Sequence, residues 1–259
     1  MSFALITGAS KGIGKSIAVE LAKRKTNLLL VARSQSLLHE LCGNLQQQYG
    51  IRAYYLTADL SQPTTPKQIL GWCNSNNYDV SILVNNAGYG LSGQFDKYSE
   101  QEHVDMLQVN IVSLVQLTSL FMPVLKQQAG KAYIMNIASS AAYQAVPYLG
   151  VYSASKAFVL NFSRALHFEL KKTNVSVTCI SPGATDTDFP QRANIGDKGK
   201  KAAEKLNMTP EQVAGIAVNK MFARKTEVIT GFVNKLGAAL AWLAPKRVTE
   251  SAAASIYTE

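Results

Sequence analysis

The amino-acid sequence predicts a doubly wound α/β fold: a mostly parallel sheet of seven strands with helices on both faces. Two observations support this prediction. Short apolar runs alternate with longer amphipathic segments along the chain, and such alternation implies parallel strands joined by right-handed crossovers. Most of the apolar runs are apolar throughout, which is typical of strands covered on both faces. Such a sheet binds ligands beyond the carboxyl ends of its strands, so we expect the functional motifs there.

The apolar runs and the stretches between them define the predicted elements. The predicted strands are 3–6, 27–32, 53–56, 81–84, 132–137, 175–180 and 227–230. The predicted helices are 13–25, 36–49, 65–74, 100–122, 152–172 and 210–223. Because no linker divides the chain, we expect one domain over residues 1–259. Residues 186–206 are polar and follow a strand, so they form either a substrate lid or an ordinary surface excursion. A C-terminal helix is expected over 231–248.

Composition narrows the class of protein. The chain has 259 residues, of which 47% are hydrophobic and 17% charged, so it can bury a large core and disorder is not expected. It contains no run of about 18 or more apolar residues, so we expect no transmembrane span. The N-terminus lacks the basic head and cleavage site of a signal peptide. Three scattered cysteines and three scattered histidines favour neither disulfides nor a metal site, which fits the reducing cytoplasm.

The chain is basic, with a formal net charge of +9. A basic surface attracts nucleic acid, an anionic membrane or a polyanionic cofactor, or it is simply a solubility property. The basic residues are spread along the chain without interleaved aromatic residues. We therefore expect no nucleic-acid partner.

A glycine-rich loop follows the first predicted strand and opens the first predicted helix. It runs Thr7-Gly8-Ala9-Ser10-Lys11-Gly12-Ile13-Gly14. Backbone that approaches a pyrophosphate closely cannot carry Cβ atoms. The start of the following helix offers free N–H groups and the positive end of its dipole to the anion. In this context the glycines indicate a dinucleotide-phosphate site, although a tight turn without a ligand would also use them.

The spacing G-x-x-x-G-x-G resembles the signature of the short-chain dehydrogenases/reductases, and the resemblance covers nearly the whole chain. Further motifs match in the expected order: Asp59-Leu60, Asn85-Asn86-Ala87-Gly88, Asn110, Ser139, Tyr152-x-x-x-Lys156 and Pro182-Gly183. Together they are specific, although each alone would be common. The resemblance implies a Rossmann-like fold and an oxidoreductase acting on CH–OH groups, which interconverts a carbonyl and an alcohol with a nicotinamide cofactor.

The second predicted strand ends at Ala32-Arg33, where NAD-preferring sites usually carry an acidic residue. A guanidinium can bond a 2′-phosphate, so Arg33, together with Lys11, favours NADP(H) over NAD, unless both are solvated surface charges. The predicted cofactor-binding residues are Gly8, Ser10, Lys11, Gly12, Ile13, Gly14, Arg33, Ser34, Asp59, Leu60, Asn86, Ala87, Gly88, Tyr152, Lys156, Pro182, Gly183, Thr185 and Thr187. Capping is an alternative role for Asp59, Thr185 and Thr187, and a structural role is expected for Asn85.

Tyr152 and Lys156 lie four residues apart in a predicted helix and so share one face. A nearby ammonium lowers the pKa of a phenol, which would suit Tyr152 to acid–base work near neutral pH. Resemblance places a catalytic serine 13 residues earlier, at Ser139 rather than Ser140, where its hydroxyl would hold the substrate oxygen. It also implies that Asn110 interrupts its helix and holds a water in a proton relay; a solvent-facing Asn110 is the alternative.

The substrate is expected to be a small carbonyl or alcohol compound of apolar character. This expectation rests on the apolar residues predicted to line its site: Tyr89, Leu91, Tyr143, Val146, Tyr148 and Phe189. A homodimer or homotetramer is expected. The apolar C-terminal segment covers its own domain, packs on a partner subunit or touches a membrane surface. A non-catalytic NADP-binding sensor and a nucleotide-sugar epimerase or dehydratase are the alternative functions.

Overall fold

The computed structural model describes residues 2–199 and 207–257. It has a seven-stranded parallel sheet in the order β3-β2-β1-β4-β5-β6-β7. The strands are β1 (Ser2–Thr7), β2 (Asn27–Ala32), β3 (Ala53–Thr57), β4 (Asp79–Asn85), β5 (Ala132–Ile137), β6 (Val175–Ser181) and β7 (Glu227–Ile229). The predicted doubly wound fold is confirmed. The order reverses between β1 and β4, and this is where such sheets bind ligands.

Helices cover both faces of the sheet. Their bounds are α1 (Gly12–Lys23), α2 (Gln35–Tyr49), α3 (Thr65–Ser75), α4 (Glu100–Leu107), α5 (Ser113–Lys126), α6 (Gly150–Glu169), α7 (Phe189–Arg192), α8 (Pro210–Phe222), α9 (Phe232–Leu243) and α10 (Lys246–Tyr257). The helix predicted over 100–122 is α4 and α5 joined by a π-helical turn, Gln108–Val112.

Two apolar layers form the core, one on each face of the sheet. On one face Leu28 and Leu30 of β2 pack with residues of α1, α2 and α8. On the other face Leu29 of the same strand packs with residues of α3 and α5. Successive residues of a strand point to opposite faces, so a strand buried on both faces is apolar at every position. This double burial explains the uninterrupted apolar runs in the sequence.

The continuous helical segment Glu100–Lys126 is long and apolar enough, by length and composition alone, to cross a membrane. In the fold it lies against the sheet. Leu117, Phe121 and Leu125 are fully or almost fully buried in the same core layer as β4. The segment therefore serves as a core helix.

The C-terminal segment differs from the single helix predicted over 231–248. It forms two helices, α9 and α10, because Ala244 is extended and Pro245 follows it. Proline lacks an N–H and disfavours helical backbone in the residue before it. Of the segment 186–206, the structure places α7 within the described part, and residues 200–206 of the predicted lid lie outside the described residues.

Candidate active site

A cleft of about 1070 Å³ opens at the carboxyl edge of the sheet. Its lining includes Gly8, Ser10, Lys11, Gly12, Ile13, Gly14, Arg33, Ser34, Asp59, Leu60, Asn86, Ala87, Gly88, Ser139, Tyr152, Lys156, Pro182, Gly183, Thr185 and Thr187. Apart from Asn110, these are all of the residues predicted for the site. Motifs spread over 180 residues of sequence therefore meet in one place, because parallel strands present their carboxyl ends at the same edge.

The glycine loop takes a backbone path that other residues rarely adopt. Gly8 and Gly12 have φ angles of +64° and +53°. A Cβ atom at Gly14 would overlap the carbonyl oxygen of Gly8 and the side-chain amide of Asn86. The loop leads into α1, whose first N–H groups have no partner within the helix and can bind an anion. The cradle thus fits a dinucleotide pyrophosphate.

Asn86 holds this loop against the end of β4. Its Nδ2 donates to the carbonyl oxygens of Thr7 (2.9 Å) and Gly8 (3.1 Å). The Thr7 hydroxyl accepts in turn from the backbone N–H of Asn86 (3.0 Å) and of Ala87 (3.1 Å). The amide of Asn86 is therefore engaged with the loop, and Thr7 is a positioning residue that sequence reasoning missed.

Asn85 has the structural role that the sequence predicts. Its buried Nδ2 donates to the Asn136 Oδ1 at 2.9 Å and to the Thr118 hydroxyl at 3.2 Å. These bonds tie β4 to β5 and to α5, directly beneath the cleft.

Cations gather at the rim of the cleft beyond β2. Arg33 lines it, as does Arg192 of α7, which sequence reasoning did not single out. The ammonium of Lys11 lies 2.8 Å from an Asp188 carboxylate oxygen, in an exposed ion pair that lowers the pKa of Asp188. Asp59 accepts a bond from the N–H of Ser61 (3.0 Å), so its predicted turn-capping role is also present. Within the described residues, Arg33 forms no salt bridge with a carboxylate, so its guanidinium suits a phosphorylated ribose.

Tyr152 and Lys156 lie on the buried face of α6, with 7% and 4% of their surface exposed. The Lys156 ammonium donates to the carbonyl oxygen of Ile137, the last residue of β5, at 2.9 Å. It lies 5.8 Å from the centroid of the Tyr152 ring. Ser139 follows β5, where its Oγ accepts from the N–H of Ala141 at 3.1 Å. Three of the four predicted catalytic residues, Ser139, Tyr152 and Lys156, therefore line the same cleft.

The pKa of Tyr152 departs from the sequence-based expectation. Burial raises the pKa of the phenol to about 12, and a hydrogen bond with Ser139 offsets this only in part. Burial likewise lowers the pKa of Lys156 to about 8. The expected lowering of the tyrosine pKa by the lysine is thus wrong for this structure, because desolvation of the buried phenol is the largest influence on its pKa. Tyr152 is a protonated phenol at neutral pH, which is the state of a proton donor.

Asn110 lies in the π-helical turn and is 1% exposed, so the solvent-facing alternative is wrong. Its Nδ2 donates to the Tyr89 carbonyl (2.9 Å) and the Ser155 hydroxyl (3.0 Å), and its Oδ1 accepts from the N–H of Tyr89 (3.1 Å). A Cβ at Gly88 would lie 3.1 Å from both Asn110 Oδ1 and Lys156 Nζ. Asn110 and Lys156 therefore converge on Gly88, which lines the cleft together with Lys156.

Thr185 and Thr187 lie where β6 leaves the sheet. Thr185 donates to the carbonyl of Gly183 at 3.1 Å. The Thr187 hydroxyl accepts from the N–H of Phe189, the first residue of α7, at 3.2 Å, while the N-cap residue of that helix is Asp188. Thr187 also faces the glycine loop, since a Cβ at Gly12 would lie 3.0 Å from its methyl group.

The wall of the cleft beside Tyr152 is apolar and aromatic. Its lining includes Tyr89, Leu91, Leu149, Phe189, Ile195 and Tyr257. The Phe189 ring lies 5.2 Å from that of Tyr152. Tyr257 reaches the cleft from the end of α10, 105 positions after Tyr152, and no motif pointed to it.

Three residues predicted for this wall do not line the cleft. The Tyr143 hydroxyl hydrogen-bonds with Glu227 (2.6 Å) and Ser181 (3.2 Å) at the far side of β6. Tyr148 adopts a positive φ of 65° in the turn before α6, outside the cleft lining. Val146 packs under Tyr152 and lines a smaller adjoining cavity.

Within residues 2–199 and 207–257, no group of three His, Cys, Asp or Glu side chains is arranged to hold a metal ion. The cysteines Cys42, Cys73 and Cys179 are buried free thiols, and burial raises their pKa values.

A parallel sheet that carries a glycine cradle and a Ser-Tyr-Lys set at one edge defines a class of nucleotide-dependent oxidoreductases. Comparison with known proteins identifies the family. Residues 2–198 match the family model described as short chain dehydrogenase, and the protein belongs to that family.

Individual relatives agree. The chain is 35% identical over 185 residues to the very-long-chain 3-oxoacyl-CoA reductase of Anas platyrhynchos, a match that covers 70% of this chain and 59% of the duck protein. A solved 7beta-hydroxysteroid dehydrogenase superposes with a TM-score of 0.85 at 26% identity, covering 96% of each chain. A short-chain dehydrogenase from Sphingobium yanoikuyae in complex with NADPH superposes with a TM-score of 0.82 at 29% identity. The match covers 94% of this chain and 95% of the Sphingobium chain. The protein is an oxidoreductase that acts on alcohol or ketone groups.

Proposed function

We propose that this protein is an NADP(H)-dependent oxidoreductase that interconverts a ketone and an alcohol on an apolar substrate. The observation that carries the proposal is the convergence of Ser139, Tyr152 and Lys156 on the wall of a cleft that also contains the glycine cradle. A protein that only senses the nucleotide does not require this set of side chains.

In the proposed reduction each of these side chains has a role that fits its position in the cleft. When bound, NADPH supplies the hydride. The Ser139 hydroxyl holds the substrate oxygen and stabilises the charge that develops there. Tyr152, with its pKa raised to about 12, donates its proton to that oxygen. Lys156 stabilises the resulting phenolate, and Asn110 positions the backbone of Tyr89 beside it.

The preference for NADP(H) rests on charge. Arg33 lies at the end of β2, with Arg192 on the same rim and Lys11 in the adjacent loop. A 2′-phosphate would compete with Asp188 for the ammonium of Lys11 and would form charge-assisted bonds with the guanidinium of Arg33. The Sphingobium relative, at 29% identity, is described in complex with NADPH, which supports the same preference here.

The apolar character of the substrate rests on the wall formed by Leu91, Phe189 and Tyr257. The names of two relatives point the same way, since one is a very-long-chain 3-oxoacyl-CoA reductase and the other a 7beta-hydroxysteroid dehydrogenase. An acyl chain or a fused ring system fills an apolar pocket well, while its single carbonyl meets Ser139 and Tyr152.

A panel assay tests this function. Purified protein is mixed with 3-oxoacyl thioesters, steroid ketones, aromatic ketones and simple aldehydes, each with NADPH and with NADH, and loss of cofactor absorbance is followed. We expect turnover of an apolar ketone with NADPH. Tight NADPH binding without turnover across the panel would contradict the proposal and favour a non-catalytic binder.

The cofactor preference is tested by Arg33→Ala. We expect its KM for NADPH to rise at least about tenfold, the cost of losing a charge-assisted contact, while its KM for NADH changes little. Arg52→Ala, an exposed arginine before β3, is the matched control and should leave both values unchanged. An equal rise for both cofactors in Arg33→Ala would contradict the assignment of Arg33 to the 2′-phosphate.

We further propose a cytoplasmic location and a homodimer or homotetramer. Buried free thiols at Cys42, Cys73 and Cys179 fit a reducing compartment. Exposed apolar side chains on α4, the π-helical turn and α6, namely Val104, Val112 and Phe158, offer a face for association between copies. Sedimentation velocity of the purified protein measures the oligomeric state directly.

A further inference from the structure

The helix α9 carries its large apolar side chains on the face that points away from the protein. Phe232 and Trp242 are each 80% exposed and Leu243 is 71% exposed, while Val233, Leu236 and Leu240 are about half exposed. Asn234, Ala238 and Ala241 form the stripe that faces the fold. A surface helix of a globular domain normally shows the reverse pattern, and a helix that is apolar on all sides is normally covered.

The charges within α9 and at the start of α10 have a single sign. Between Glu227 and Glu250 the chain contains no Asp or Glu, but it contains Lys235, Lys246 and Arg247. Lys246 and Arg247 lie four and five positions after Trp242, at the end of the apolar face. An amphipathic helix with large apolar residues on one side and cations beside them has the composition of helices that lie in a membrane interface.

The inner side of α9 is fixed to the fold. The amide of Asn234 donates to the carbonyl of Thr230 at 2.7 Å and packs on Gly183, where a Cβ would overlap it. Ala241 is 3% exposed. The helix is thus held with its apolar face outward by specific contacts, and exposure of this face is part of its packing.

We propose that the outward face of α9 binds the surface of an anionic lipid bilayer, with the helix axis parallel to the membrane. In that position Phe232, Leu236 and Leu243 enter the boundary of the acyl chains, and Lys235 and Arg247 extend to lipid phosphates. The proposal is independent of the reaction that the cleft performs.

A second copy of the chain is a poorer occupant of this face. If Lys235 lay inside a contact between two α9 helices, its ammonium in each copy would be buried among apolar side chains and near a like charge. Unpaired buried charges are costly, and like charges repel. A bilayer interface avoids both costs because Lys235 can direct its ammonium to the headgroup layer.

The position of α9 gives the proposal a consequence for the cleft. Gly237, Leu240 and Ala241 line a cavity of about 300 Å³ together with Val146 and Tyr257. Tyr257 also lines the substrate wall of the main cleft. The bilayer would therefore lie beside the apolar side of the cleft, where a lipid-soluble substrate would enter.

Co-sedimentation with vesicles tests the proposal. The full chain is mixed with vesicles of phosphatidylcholine and phosphatidylglycerol, and in parallel with vesicles of phosphatidylcholine alone. We expect binding to the anionic vesicles that weakens at high salt, together with a blue shift of Trp242 fluorescence. The double variant Trp242→Ser/Leu243→Ser should lose binding at least about tenfold, because it removes two of the most exposed apolar side chains.

Controls distinguish binding through α9 from non-specific hydrophobic binding and from misfolding. Phe168→Ser removes a similarly exposed aromatic ring (68%) from α6 and should bind vesicles like the wild type. Far-UV circular dichroism and thermal unfolding establish that each variant is folded. Equal binding by the wild type and the α9 double variant would overturn the proposal. So would a dimer in sedimentation velocity that the double variant abolishes while vesicles bind neither protein.

Discussion

The cofactor side of the cleft is made mainly of backbone, whereas the substrate side is made mainly of side chains. On the cofactor side, Gly8 and Gly14 bring main chain close to main chain, and buried bonds from Asn86 hold them there. On the substrate side, Phe189 and Tyr257 arrive from separate segments and share only apolar bulk. A surface made of closely packed backbone accepts few residue types, so the spacing of its glycines in the sequence predicts the cofactor side. A side-chain surface only requires apolar volume, which many sequences supply.

The largest expected effect lies where the two sides meet, at Tyr152. Tyr152→Phe removes the proposed proton donor and leaves the ring. We expect kcat to fall by at least about a thousandfold, with NADPH affinity unchanged, because the loss falls on the transition state. Stopped-flow absorbance and NADPH fluorescence titration measure the two quantities.

The matched control for Tyr152→Phe is Tyr143→Phe, the same change at a tyrosine bonded to Glu227 outside the cleft. It should keep kcat within about threefold of the wild type, since the phenol it loses does not contact the reacting atoms. Full activity in Tyr152→Phe would show that the proton comes from elsewhere.

The next effect tests the claim that the cofactor side is made of backbone. In Gly14→Ala the added methyl group overlaps the Gly8 carbonyl and the Asn86 amide, so the cradle must deform. We expect loss of NADPH affinity by about a hundredfold and a free energy of unfolding lower by about 1–3 kcal/mol.

Gly43→Ala, in the exposed part of α2, is the contrasting variant. A Cβ there meets no heavy atom of the described residues within 4 Å. Alanine has the higher helix propensity, so this variant should be more stable by about 0.5–1 kcal/mol with unchanged affinity. Isothermal titration and urea unfolding measure both. Similar behaviour of the two alanine variants would contradict the close-approach argument.

The third prediction concerns the buried ammonium of Lys156. Its pKa is lowered from 10.5 in the unfolded chain to about 8 in the fold. Below pH 8 both states are charged and the fold bears the full penalty. As pH rises toward 10.5 the folded state loses its proton first, and this group destabilises the fold less and less. The stability of Lys156→Met relative to the wild type should therefore decrease by about 2 kcal/mol from pH 7 to pH 10.

Urea unfolding of both proteins at the two pH values, with reductant, measures this difference. Lys131→Met removes an exposed lysine before β5 and serves as the control. A difference between Lys156→Met and the wild type that does not depend on pH would mean that Lys156 is not desolvated.

The smallest effect is expected on the substrate side. Tyr257→Ala should raise KM for the larger apolar ketones by about tenfold and leave kcat nearly unchanged, because the ring contributes contact and no chemistry. Tyr257→Phe should behave like the wild type. Steady-state kinetics with a short and a long substrate distinguish the two variants. A fall in kcat for Tyr257→Phe would instead indicate that its hydroxyl takes part in the reaction.

The contrast between the cofactor side and the substrate side explains which parts of the fold and site could be predicted from the sequence. The strands could be predicted because burial on both faces makes every position apolar. Ser139 could be predicted because the family resemblance places a serine 13 residues before Tyr152. Tyr257 could not be predicted, since its place depends on where α10 packs. The direction in which the Tyr152 pKa shifts also could not be predicted. Spacing along a helix indicates which charge lies nearby, but it does not indicate how far the phenol is removed from water.

The π-helical turn Gln108–Val112 is equivalent to one residue inserted into a regular helix. Without the extra residue, α4 and α5 would form one regular helix. The side chains of α4 would then be rotated by about 100° around the helix axis relative to those of α5. The apolar stripe of α5 could then still face the sheet only if α4 turned Met106 away from the wall beneath Tyr152. A single added residue therefore lets one long helix serve two surfaces, the core and the active site, whose orientations a regular helix could not satisfy together.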